Sequence, residues 1–155
     1  MPPRFIEIVR KYALVPVLGF VLETTITVAR IIFSGMLEKY QKMHLILSHL
    51  GGALPYLAGR LDWGYRDFAD CSLNISSLPS EYMRRIYYDT ALSFYKPTMR
   101  CAYETAGSDR LVLGSDYPHS AGAPISIIED IGWSQEDKEK IYSGNILRII
   151  KNFNP

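Results

Sequence analysis

Three polar pairs stand where chemistry can be done: Ser48-His49, Asp89-Thr90 and Ser115-Asp116. Histidine titrates near neutrality, so it serves as a general acid or base and is a common metal ligand. A carboxylate on a neighbouring segment can complete a metal shell or pair with that imidazole. Each residue also has a plainer use. His49 can be an interior histidine with its hydrogen bonds satisfied, Asp89 or Thr90 can cap the following helix, and Asp116 can cap a turn. Their shared placement raises them above that, because each pair follows a short apolar run. The other two histidines are placed differently: His44 begins its run and His119 falls in the loop after Asp116.

Those apolar runs read as strands. HLILS (His44 to Ser48) is bounded by turn residues and suits a strand buried on both faces. IYYD (Ile86 to Asp89) is a second, and LVLG (Leu111 to Gly114) a third with no alternation. Between them lie helical patterns: a stretch through Leu54, Leu57 and Leu61, then Pro97 to Ala106. Asp67 to Ser80 is polar and punctuated by proline, which predicts a loop or short helices. After Tyr117-Pro118 come helical segments near Ile125 to Ile131, Gln135 to Ile141 and Ile146 to Lys151, the last starting at Ser143 or Gly144. Upstream, Ile6 to Tyr12 suits a short helix that Pro16 and Gly19 break. Leu22 to Tyr40 carries apolar residues at helical spacing: Ile26, Ala29, Ile32, Phe33, Met36 and Leu37. Strand and helix thus alternate three times, which predicts a parallel α/β sheet with helical crossovers. Such folds place their chemistry at the carboxyl ends of the strands, where all three polar pairs fall.

Composition agrees with a core-forming domain over residues 1–155. The chain is 48% hydrophobic, and 17 Lys plus Arg against 16 Asp plus Glu leave a net charge of +1. A nucleic-acid or anionic-membrane binder needs a clustered basic excess, which this balance does not supply. Disorder needs low hydrophobicity and high net charge, and neither is present. Cys71 and Cys101 make neither a disulfide framework nor a zinc knuckle, as expected of thiols in a reducing cytosol. The apolar run Tyr12 to Leu22 is about half a membrane span and ends at Glu23, so a cytoplasmic protein is expected.

At this point the motifs carry a resemblance. The run SGMLEKYQKMHLILSHLGGALPYLAGRLD (Ser34 to Asp62) resembles the amidohydrolase-related family of metal-dependent decarboxylases and hydrolases, with the aminocarboxymuconate-semialdehyde decarboxylase group as its best-known branch. LGFVLETT (Leu18 to Thr25), YYDTA (Tyr87 to Ala91), DRLVLGSDYPH (Asp109 to His119) and GNILRI (Gly144 to Ile149) match in the same order. The resemblance implies a (β/α)8 barrel with a metal site at the carboxyl ends of its strands. It implies that Asp116 is the last-strand metal ligand near an activated water. It makes His49 the acid–base residue that orients that water, and Arg60 an arginine that binds a substrate carboxylate across a dimer interface. The implied cofactor is a divalent metal, zinc the first choice, and the implied substrate a small carboxylate, aromatic or unsaturated.

The departure from the family pattern is large. No His-x-His pair occurs, and the chain holds three histidines in all. The implied fold is therefore a partial TIM-like barrel comprising about the last three βα units, since a complete one takes about 250 residues. Asp116 and His49 alone do not make a three-ligand catalytic site. An open wedge of parallel strands also leaves edges and one face uncovered. The expected remedy is a homo-oligomer or a second chain that supplies the missing strands. Two readings follow: part of a metal-dependent carboxy-lyase or hydrolase, or a catalytically inactive truncated paralogue with a structural or interaction role. A serine hydrolase using Ser48 or Ser115 lacks the G-x-S-x-G elbow and is set aside. Phe94, Tyr95, Tyr117 and Trp63 are the aromatic residues available to line a pocket.

Overall fold

The computed structural model describes residues 11–119 and 122–151. Three short strands, β1 (Ile46–Leu47), β2 (Tyr87–Asp89) and β3 (Leu111–Val112), pair in the order β1-β2-β3, both pairings parallel. Parallel neighbours need long crossovers. Here α3 (Ala58–Asp67), α4 (Ala69–Ser72) and α5 (Pro79–Met83) link the first pair, and α6 (Lys96–Ala106) links the second. Helices α1 (Phe20–Phe33) and α2 (Met36–Lys39) precede β1. After β3 come α7 (Ile125–Asp130), α8 (Gln135–Glu139) and α9 (Asn145–Lys151). The result is an unclosed parallel α/β sheet with β1 and β3 at its edges, the architecture of part of a (β/α)8 barrel.

Register decides what each face of the sheet does. Leu47 pairs with Tyr88 and Tyr88 with Leu111, so these three share one face. They join Val28, Ile32, Met83, Ile86, Met99, Ile128 and Ile141 in the main core. Burying each such side chain stabilises the fold by roughly 1.5–3 kcal/mol. The Tyr88 hydroxyl is satisfied there, donating to the Met83 carbonyl at 3.0 Å. Ile46, Tyr87, Asp89 and Val112 share the opposite face. Tyr87 and Val112 are covered by Ile149 and Ile146 of α9, while Ile46 remains 42% exposed. The expectation that β1 is buried on both faces is therefore corrected. It is an edge strand of the described sheet, and Ile46 on its second face is partly open to solvent.

Several element boundaries also differ from expectation. The long Leu22–Tyr40 helix is two helices, because Gly35 adopts a left-handed φ of 74°. No other residue fits there, since a Cβ would lie 2.2 Å from the Asn74 carbonyl oxygen. Pro16 and Gly19 do not break the upstream segment. They sit in a wide helical turn, Val15–Gly19, that runs into α1, with the proline in the first turn where its missing N–H costs nothing. The short helix expected at Ile6 to Tyr12 lies mostly outside the described residues; Lys11–Ala13 form a single tight turn. By length and composition, Lys11–Phe33 is long and apolar enough to cross a membrane, which the shorter Tyr12–Leu22 run did not suggest. Its Thr25, Val28 and Ile32 pack into the core of this fold.

The stretch after Gly52 turns before α3 begins at Ala58, and a wide turn at Lys140–Gly144 joins α8 to α9 without a fresh start at Ser143. A polar clamp fixes the loop before α5. Glu38 accepts from the Ser76 N–H and hydroxyl, each at 2.6 Å, and from the Tyr82 hydroxyl. The Ser76 and Tyr82 bonds hold its carboxyl down at about 2.

Candidate active site

Between β1 and α3 the chain makes an unusual turn. His49, Leu50, Gly51 and Gly52 take successive left-handed φ values of 54°, 53°, 72° and 67°. For the two non-glycine residues this costs roughly 1–3 kcal/mol each and persists only where surrounding contacts dictate it. Those contacts come from two elements. On one side, Asp89 Oδ1 at the end of β2 accepts from the His49 N–H and the Ala91 N–H, both at 2.9 Å. On the other, the Thr25 hydroxyl of α1 donates to the Val21 carbonyl at 2.7 Å and accepts from the Ala53 N–H at 2.9 Å. Gly52 fits against α1 because it lacks a side chain; a Cβ would stand 2.3 Å from the Val21 carbonyl oxygen.

This turn presents the imidazole. His49 Nδ1 lies 3.3 Å from the Ala91 carbonyl. A carbonyl only accepts, so the bond requires the proton on Nδ1 and leaves Nε2 free to take or give one. Nε2 in turn lies 3.9 Å from Asp116 Oδ1, with both side chains about one-fifth to one-quarter exposed. That separation is too long for a hydrogen bond and suits an ion pair once the imidazole is protonated. Asp116 is itself left-handed, with φ 61°, and so is Leu92 at 55°. These strained residues meet around one open cavity of about 600 Å³ lined by Pro16, Phe20, His49, Leu92, Asp116 and His119. A second cavity of about 490 Å³ shares Pro16, His49 and Leu92 and extends to Phe94 and Tyr95. An imidazole and a carboxylate therefore sit at the polar corner of a space with aromatic and aliphatic walls.

Asp89, read from sequence as a possible helix cap, caps the His49 turn instead; α6 has no side-chain cap. Thr90 is fully buried, and its hydroxyl accepts from the Gly114 N–H at 3.2 Å, tying β2 to the segment after β3. Arg60 lies on α3, exposed, with its guanidinium 5.7 Å from the Trp63 ring centroid. It lines neither cavity, so the fold does not bring Arg60 to His49 and Asp116 within one chain. Trp63 packs edge-on against Phe68, away from the cavities, and Tyr117 is 86% exposed. Phe94 and Tyr95 do line the site. His44 stands 6.0 Å from Tyr87, ring to ring, at the amino end of the sheet. Thr25 went unrecognised from sequence, because a hydroxyl inside an apolar helix gives no signal of the loop it will meet.

Among the described residues, no group of three or more His, Cys, Asp or Glu side chains is arranged to hold a metal ion. Asp116 and His49 supply two donors, and a catalytic metal site takes three protein ligands. The described residues therefore do not fit the implied metal by themselves.

Comparison with known proteins places this geometry. A family model described as amidohydrolase matches residues 11–151. The 6-methylsalicylic acid decarboxylase of Penicillium expansum is 30% identical over 139 residues, covering 86% of this chain and 43% of its own length. The 2-amino-3-carboxymuconate-6-semialdehyde decarboxylase of Dictyostelium discoideum is 26% identical, covering 90% of this chain and 40% of its own length. Among solved structures, the 5-carboxyvanillate decarboxylase of Sphingomonas paucimobilis superposes with a TM-score of 0.83 at 25% identity. That superposition covers 96% of this chain and 46% of the other. A dihydroxybenzoic acid decarboxylase from Polaromonas, solved with manganese and the inhibitor 2-nitroresorcinol, gives 0.77 at 26% identity, covering 99% and 48%. The chain spans less than half the length of each of these relatives.

Proposed function

Because this chain belongs to the amidohydrolase family, we propose that it carries the acid–base corner of a decarboxylase acting on a small aromatic carboxylate. The observation that carries the reading is the meeting of His49 and Asp116 across one cavity, at the strand ends. The relatives named above are decarboxylases of aromatic or unsaturated acids, which favours a carboxy-lyase over a hydrolase at this site.

The proton chemistry follows from the two side chains. With Nδ1 held by the Ala91 carbonyl, His49 exchanges its proton at Nε2, which faces Asp116 Oδ1 at 3.9 Å. The imidazolium protonates the ring carbon that bears the carboxylate. The carbon–carbon bond to the carboxylate then breaks and CO₂ leaves. The electron pair of that bond returns to the ring, and solvent restores the His49 proton. Positioned general acids of this kind contribute about 10²–10⁴ in rate. The walls of Phe94, Tyr95 and Leu92 hold the ring against that corner.

A divalent metal ion belongs to the same reading, since the Polaromonas relative carries manganese. In the assembled protein Asp116 would be one of its ligands, and the others would have to come from a second chain or another copy, because the described residues supply no set of three. Zinc, the sequence expectation, and manganese are distinguished by metal analysis of that assembly. Arg60 takes part only across an interface, in the site of a neighbouring copy. A cytoplasmic location completes the proposal and is checked by fractionation.

The test is a CO₂-release assay with hydroxylated benzoates on this chain assembled with the second chain or copies that the proposal requires. His49→Ala is expected to reduce turnover by about 10²–10⁴ while leaving metal bound. Full turnover in that variant removes His49 from the chemistry. No turnover from the completed wild-type protein on any aromatic acid favours the non-catalytic reading instead.

A further inference from the structure

We propose that Asp89 is the positioning residue for His49, fixing its ring orientation and tautomer through the backbone without touching substrate. The inference rests on the reading of His49 as the acid–base group.

The geometry is specific. One carboxylate oxygen, Asp89 Oδ1, accepts from two backbone N–H groups that belong to different loops, His49 after β1 and Ala91 after β2. The same Ala91 presents its carbonyl to His49 Nδ1 at 3.3 Å. Asp89 therefore sets both ends of the imidazole's environment: the backbone that carries the ring and the acceptor that selects its tautomer. The turn's own Gly51 and Gly52 N–H bonds and the Thr25 contact hold its far side, so Asp89 is the side chain that anchors the strained His49 amide itself.

The carboxylate is itself confined. Thr90 beside it is fully buried and bonds the Gly114 N–H. Gly114 packs so closely that a Cβ there would lie 2.8 Å from Asp89 Cγ. The third strand end thus backs the second, and the second holds the first. Asp89 does not line either cavity around His49, which separates its role from contact with a ligand.

The experiment uses the full 155-residue chain, labelled with ¹⁵N, and a long-range ¹H–¹⁵N spectrum that reads all three imidazoles. In the wild type, His49 is expected as the Nδ1–H tautomer. Asp89→Ala is expected to move His49 toward the Nε2–H form and to cut hydrogen-exchange protection of the His49 amide by about tenfold or more. His44 and His119 stay unchanged and report that the fold is intact. Asp89→Asn, whose Oδ1 still accepts both bonds, is expected to keep the wild-type tautomer and protection. An unchanged His49 in a folded Asp89→Ala chain overturns the proposal, as does an Asn variant that behaves like the Ala variant. If the Ala variant does not fold, the Asn variant decides: a retained tautomer supports the role and a lost one overturns it. The spectra need no substrate, so absent decarboxylase activity and an absent Asp89 effect remain separate results.

Discussion

The two corners of the cavity are built differently. At the His49 corner the backbone is held from β2 by Asp89 and from α1 by Thr25, and the ring is held by the Ala91 carbonyl. At the Asp116 corner the loop is secured lightly among the described residues. The His119 N–H donates to the Asp116 carbonyl at 2.8 Å, the Tyr117 N–H reaches the Ser115 hydroxyl at 3.4 Å, and the Tyr117 side chain is 86% exposed. Both corners carry a strained non-glycine residue, and among the described residues the His49 corner has the denser set of contacts around it. The difference teaches that the conformation of the His49 turn is fixed by groups on β2 and α1 of this same chain. The Asp116 loop has fewer such contacts among the described residues, in keeping with the proposal that Asp116 is completed by groups from elsewhere.

The largest effect should come from pressing on the His49 corner directly. Gly52→Ala places a Cβ against the Val21 carbonyl at a left-handed φ, and should destabilise the chain by about 3 kcal/mol or more in a denaturant melt. Next, Asp89→Ala removes a charged acceptor from two N–H groups and should cost about 2–3 kcal/mol. Asp116→Ala should change stability by no more than about 0.5 kcal/mol. Equal costs for those two substitutions would break the contrast between the corners. Thr25→Val tests the other side of the turn and should cost about 1 kcal/mol, through loss of the hydroxyl that receives the Ala53 N–H.

A last prediction concerns a region away from the site. The Glu38 carboxyl is depressed from 4.5 to about 2 by Ser76 and Tyr82. Its contribution is therefore fully present above pH 4.5 and is lost as the pH falls toward 2. An acid titration that follows the Ser76 amide should show the clamp opening in that window, and Glu38→Gln should remove the transition. The His49 turn has no such bond to Glu38 and should not report it.

Much of this was legible in the residues. Short apolar runs ending in Ser48-His49, Asp89-Thr90 and Ser115-Asp116 located the strand ends, because a strand buried by crossovers has no polar alternation to hide it. The ordered motifs pointed to the family that residues 11–151 match. What the residues did not disclose depends on partners distant in the chain. Gly35 must be glycine because its left-handed turn lies against the Asn74 carbonyl, and Thr25 matters because a loop 28 residues away lands on it. Ile46 looked like a core residue, and only the open sheet edge explains its exposure. Arg60 was expected to bind substrate from the family resemblance, but spacing along the chain did not disclose that α3 carries it away from both cavities.

The central claim is that His49 and Asp116 form the proton-transferring corner of an aromatic-acid decarboxylase completed by groups beyond the described residues. It is tested most directly by measuring CO₂ release and bound metal for this chain alone and for the completed protein. The account predicts no metal-dependent turnover from the chain alone. In the completed protein it predicts turnover that falls by about 10²–10⁴ with His49→Ala. Stoichiometric metal and full turnover from the chain alone, or undiminished turnover in the completed His49→Ala protein, would contradict it.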